Sequence, residues 1–166
     1  MRIIRLLLFA LTAGSATAKV IVTDLRCEFL VEPLGIETSS PRLSWKLISD
    51  QRDVMQSHYR IEVSSSAKKL AAGQADLWDS GRVESDSSHL VAYIGAPLSS
   101  RQIAYWRVTV WTGHDDAGAR SSSSRWEMGL LHVTDWQAEW IGGGDVASSQ
   151  DPLVQAWCED VLHPTR

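Results

Sequence analysis

The sequence predicts an all-β chain folded as a sandwich of two packed sheets with about seven strands, and three observations predict it. Short runs alternate apolar and polar residues with a period of two, as in strands that have one dry face and one wet face. Gly, Ser, Asp and Pro separate those runs at the spacings of a sandwich. The 166 residues are 44% hydrophobic and 22% charged, a globular composition with length for one main domain.

The series begins at residues 19–25, where Val20, Ile21 and Val22 follow one another. The run "PRLSWKLIS", residues 41–49, places Leu43, Trp45 and Leu47 on one face and Arg42, Ser44 and Lys46 on the other. In "HYRIEVS", residues 58–64, Tyr59, Ile61 and Val63 face inward, while His58, Arg60 and Glu62 face water. A brief helical piece over residues 67–72 stops at Gly73, and Leu77-Trp78 precedes the turn Asp79-Ser80-Gly81. Residues 90–94 make a further strand whose buried face the pattern does not assign. The longest run, "IAYWRVTVWT" at 103–112, puts Trp106, Val108 and Val110 inside and Tyr105, Arg107, Thr109 and Trp111 outside. Residues 124–131 close the series, with Trp126, Met128 and Leu130 alternating with Arg125, Glu127 and Gly129. Single apolar faces of this kind are best buried as two packed sheets, an immunoglobulin-like (fibronectin type III-like) sandwich of about one hundred residues. Trp45 then fills the space between the sheets. The absence of an antibody-type inter-sheet cysteine pair favours the fibronectin variety.

Arg2 and Arg5 precede the apolar run Leu6 to Leu11, and Ala16-Thr17-Ala18 follows with small residues where a signal peptidase reads. Residues 1–18 are therefore expected to be a signal peptide and the product to be exported, to the periplasm or the medium. No later apolar stretch approaches the ~20 residues of a membrane-spanning helix, so no membrane is expected after signal removal. The net charge of −4 offers nucleic acid no attraction. Cys27 and Cys158 face an oxidising compartment, where a disulfide is allowed but not required; Cys27 reads better as a small buried hydrophobe. The chain contains no Asn, hence no N-glycosylation acceptor.

Residues for chemistry are sparse. Hydrolysis of a glycoside needs two carboxyl groups about 5 to 9.5 Å apart across a pocket. Here Asp79, Asp86, Asp115 and Asp116 fall in turns, and Glu62 and Glu127 fall on wet strand faces. The five histidines never pair at ligand spacing, and His114-Asp115-Asp116 reads as a turn more readily than as a calcium loop. No serine sits in a nucleophile elbow and no glycine-rich phosphate loop occurs. The expectation is no catalytic residue, no metal and no cofactor. Eight tryptophans are many for this length. Alternation accounts for Trp45, Trp106 and Trp126, and Trp78 covers a sheet edge. Tyr105, Trp111, Trp136 and Trp140 stand out as candidate contact aromatics, either packing against a neighbouring domain or stacking on a sugar.

The stretches "LRCEFLVEPLGIETSSPRLSWKL", "YRIEV", "LWDSGRVESD", "AYWRVTVW" and "WEMGLL…DWQAEWIG", in order from about Val22 to Gly142, resemble the N-terminal portion of secreted bacterial and fungal α-L-rhamnosidases. The resemblance implies a fibronectin-like sandwich at 19–135, ahead of a second β-domain and a helical (α/α)₆ barrel that carries the catalytic carboxylates. Residues 136–166 are then a linker and the truncated start of a following domain. Gly142-Gly143-Gly144 and Ala147-Ser148-Ser149 have linker composition. The last sixteen residues fit a truncated domain start, or equally a wrong reading frame or a translated intron. The expected role is that of a non-catalytic module whose partners are the parent enzyme's downstream domains. The alternative is a free-standing carbohydrate-binding module whose partners are rhamnose-containing glycans.

Overall fold

A computed structural model describes residues 20–113 and 117–138. Residues 1–18, expected to be a signal peptide, and His114-Asp115-Asp116, Trp140 and Cys158 lie outside the described residues. The strands, in chain order, are β1 (Val20–Cys27), β2 (Arg42–Ser49), β3 (Gln56–Ser64), β4 (Trp78–Asp79), β5 (Val83–Glu84), β6 (Val91–Ala92), β7 (Ile103–Thr112), β8 (Ala119–Arg120) and β9 (Ser124–Glu127). One short helix, α1 (Ala67–Ala71), follows β3, and a 3₁₀ turn occupies Val133–Asp135. The compact unit closes at Asp135, and Trp136 opens a second one. Among the described residues no helix is long and apolar enough to cross a membrane.

Two antiparallel sheets form, as the alternation predicts. The smaller has the order β1-β2-β6; in the larger, β3 and β7 pair along their length, β4 and β5 share the outer edge of β3, and β8 and β9 share that of β7. The two outer strands of the larger sheet are each broken in the middle by a serine. Ser80 Oγ accepts the Ile61 N–H at 2.8 Å while Ser80 N–H donates to the Ile61 carbonyl. Ser121 treats Val108 the same way, with its Oγ accepting at 3.0 Å and its N–H donating at 2.9 Å. A side chain thus completes each ladder where the backbone kinks, and neither edge is left long, flat and open to pairing with another chain. These breaks are also why the sequence shows Asp79-Ser80-Gly81 as a turn and hides the two-residue strands β5 and β8.

The inward residues of both sheets form one core. Leu43, Trp45, Ile61, Val63, Trp106, Val108, Val110, Trp126 and Met128 are all buried, and the alternation assigned each of them inside. Trp45 meets Tyr59 edge-on at 5.3 Å, and a second chain of edge contacts runs from Trp78 through Tyr93 to Trp126. Leu130 is only half-buried, because the strand ends at Glu127 and Met128 turns to bridge Ile36. Cys27 is buried in this core as a free thiol, and burial pushes its pKa up to about 12. Helix α1 is capped by Ser66, whose Oγ accepts from Lys69 N–H, and it buries Leu70 apart from the inter-sheet cluster. Past its end Gly73 takes φ +76°, a conformation in which glycine has no Cβ penalty.

One tight spot fixes the crossing from β6 to β7. A Cβ on Gly95 would lie 2.4 Å from Trp78 Cβ and 2.6 Å from the Leu77 carbonyl oxygen. That carbonyl accepts the Ala96 N–H, so it cannot retreat without breaking the tie between these segments. Gly95→Ala is expected to destabilise the domain by about 1–3 kcal/mol, read from the midpoint of urea unfolding at unchanged slope.

Candidate functional site

Two of the four aromatics singled out from the sequence, Tyr105 and Trp111, lie on the outer face of the larger sheet, on β7. Tyr105 stands opposite Ser64, Arg107 opposite Glu62, Thr109 opposite Arg60 and Trp111 opposite His58. Tyr105 and Trp111 share that face but sit six residues apart, about 20 Å along the strand. They are not brought together into one platform. Trp111 is half-buried: the Arg82 guanidinium lies 4.7 Å above its ring, and a Cβ on Gly118 would approach its Nε1 to 2.8 Å. Trp136 is exposed and belongs to the second unit; Trp140 lies outside the described residues.

Between the two aromatics the face is not wet, as its alternation predicts, but holds a buried ion pair. Glu62 and Arg107 meet through two hydrogen bonds of 2.8 and 2.9 Å, with side-chain exposures of 4% and 11%. The reading of Glu62 as solvated surface is corrected here. Period two places a residue on a face but does not say what covers that face, and here the Arg107 guanidinium lies against the carboxylate.

A second feature, which sequence reasoning missed, is a cleft of about 260 Å³ on the outer face of the smaller sheet. Filling the sandwich interior leaves no cleft there, but a bulge in β1 and the turn after it raise walls outside. The register of β1 against β2 shifts between Thr23 and Arg26, and Asp24 takes φ +51°. Asp24 and Arg26 thereby both reach the cleft, which Ser44, Trp45 and Lys46 of β2 and the loop residue Ser88 also line. Phe29 and His89 form the apolar wall, with ring centres 5.6 Å apart and planes tilted by 56°. The Asp24 carboxylate lies 2.7 Å from Lys46 Nζ and 2.9 Å from Arg26 Nε. No period-two signal marks this place, since its walls come from irregular backbone.

Six carboxylates do not have the character of a glycosidase acid, whose pKa must be raised. Lys46 and Arg26 hold Asp24 below the usual carboxylate range, Arg42 does so for Glu28, and Arg107 for Glu62. Lys69 and Ser65 lower Asp76, Arg60 lowers Asp79, and the Ser100 hydroxyl with the His132 N–H lowers Asp135. All six serve as ion-pair or hydrogen-bond acceptors that stay ionised at neutral pH. Among the described residues no group of three His, Cys, Asp or Glu side chains is placed to hold a metal.

Fold and surface together define an immunoglobulin-like β-sandwich module with a filled core and a shallow cleft on an outer face. Residues 22–132 match the family described as "Rha78A-like, N-terminal immunoglobulin domain", and the chain belongs to that family. Among curated proteins it is 41% identical over 135 residues to an α-L-rhamnosidase of Streptomyces avermitilis and 41% identical over 126 residues to one of Alteromonas sp. strain LOR. The matches cover 81% and 75% of this chain but only 12% and 14% of those proteins. Among solved structures, the S. avermitilis α-L-rhamnosidase complexed with L-rhamnose superposes with TM-score 0.68 at 39% identity, covering 76% of this chain and 12% of that one. The Dictyoglumus thermophilum α-L-rhamnosidase gives 0.69 at 32% identity, over 74% and 14%.

Proposed function

We propose that this chain is the non-catalytic N-terminal sandwich of an exported α-L-rhamnosidase, whose hydrolysis of terminal α-L-rhamnosides belongs to domains further along the parent protein. The observation that carries the reading is the pairing of 41% identity with 12% coverage of a relative named as such an enzyme: the likeness is strong and confined to one small domain. The six ionised, ion-paired or hydrogen-bonded carboxylates support a structural role for this part. The sheets are joined by Trp45, Trp106 and Trp126 rather than by an inter-sheet disulfide among the described residues, which supports the fibronectin type III variety. Residues 1–18 act as the signal peptide that sends the product out. Tyr105, Trp111, Trp136 and Trp140 serve as separate contacts to the parent enzyme's neighbouring domains.

The test is turnover of an aryl α-L-rhamnoside by the purified chain. No release of the aryl alcohol above the uncatalysed rate is expected. Saturable hydrolysis that survives further purification would overturn the reading, because it places a working acid and base within these residues.

A further inference from the structure

We infer that the cleft on the outer face of the smaller sheet is a binding site for one pyranose residue of a glycan. Its walls divide as such a ligand requires. Phe29 and His89 offer apolar ring surface to the C–H face of a sugar, and Asp24, Arg26, Lys46 and Ser44 offer acceptors and donors to its hydroxyls. Because the carboxylate sits between two cations, an acceptor and two donors stand side by side, matching vicinal hydroxyls that both give and take hydrogen bonds.

The cleft is also built to hold its shape. Seven described residues other than glycine have positive φ; Asp24 and Phe29 line this cleft, and Leu90 adjoins its His89. Such strain gathers where surrounding structure enforces it, and three cases at one small cleft need enforcement. Leu90 N–H donates to Ser44 Oγ at 2.9 Å. Arg26 Nη1 donates to the Phe29 carbonyl, and Cys27 and Leu30 exchange both backbone bonds around Phe29. Arg42, held by Glu28, backs the Phe29 ring at 5.9 Å. The half-exposed ring is therefore fixed before any ligand arrives, which lowers the entropic cost of binding.

Cleft occupancy does not depend on the parent enzyme's activity, and the two are read in separate assays. ¹⁵N-labelled full chain is titrated with L-rhamnose, D-galactose and D-glucose to concentrations at which a millimolar complex saturates. At least one sugar is expected to give saturable amide shifts centred on Asp24, Phe29, Lys46 and His89. Phe29→Ala should weaken that binding about tenfold with an unchanged melting temperature, since the ring lies outside the core. Lys46→Met should weaken it as well. Saturation by a sugar other than L-rhamnose upholds the site. Linear, non-saturating shifts with all three sugars, or saturable shifts centred on Tyr105 and Trp111, overturn it.

Discussion

Trp45→Ala is expected to lower the unfolding free energy by about 3–5 kcal/mol, measured by chemical denaturation at neutral pH. Domains of this size are typically stable by about 5–15 kcal/mol, so the variant sits close to unfolding at physiological temperature. Two losses combine. The indole is 3% exposed and packs edge-on against Tyr59, so alanine leaves a cavity between the sheets. Its Nε1 also donates to Gln56 Oε1 at 3.0 Å, and the amide of Gln56 donates in turn to the Ser85 and Ser87 carbonyls. Trp45→Phe weights the two differently, because it keeps most of the ring volume and removes the donor altogether. Its cost should fall to about 1–3 kcal/mol, that of one buried acceptor left unsatisfied. A Trp45→Ala protein with wild-type stability would remove Trp45 from the core.

Arg107→Met is expected to cost about 3–5 kcal/mol, because it leaves the Glu62 carboxylate buried without its bidentate partner. Arg60 is no full substitute, since its own guanidinium is committed to Asp79. The double variant Glu62→Leu/Arg107→Met should recover most of the loss, as apolar pairs replace buried ion pairs at little cost. If the single and double variants are equally unstable, the cost lies in packing rather than in the stranded charge. The same pair has a signature in acid. Arg107 depresses the pKa of folded Glu62, so the carboxylate's contribution to stability is full above its unfolded pKa of about 4.3 and is lost as pH falls through the lower folded value. The melting temperature of the wild type should therefore hold from pH 7 to about pH 5 and then fall more steeply than that of the double variant. Parallel curves below pH 4 would contradict the shift.

The extent of β7 was legible to the residue, Ile103–Thr112, because ten alternating residues with Trp106, Val108 and Val110 on one side admit one period only. So was the inward set of β2 and β3. The helical piece at 67–72 was legible from its composition and the glycine that ends it. What covers an outer face was not, and Glu62 shows why: whether a carboxylate is wet depends on an arginine 45 residues away in sequence. Tyr105 and Trp111 were correctly placed on one face, where six residues of strand set them too far apart to grip one ring.

By itself, the sequence determined the all-β class and the identity of the core tryptophans, since each follows from residue type and a spacing of two along the chain. The cleft, the serine-bridged edges and the buried ion pair were decided only by the tertiary structure. Each depends on groups that meet across strands or at left-handed backbone positions such as Asp24, Phe29 and Leu90, and contacts of that kind leave no period in the chain for a reader to find.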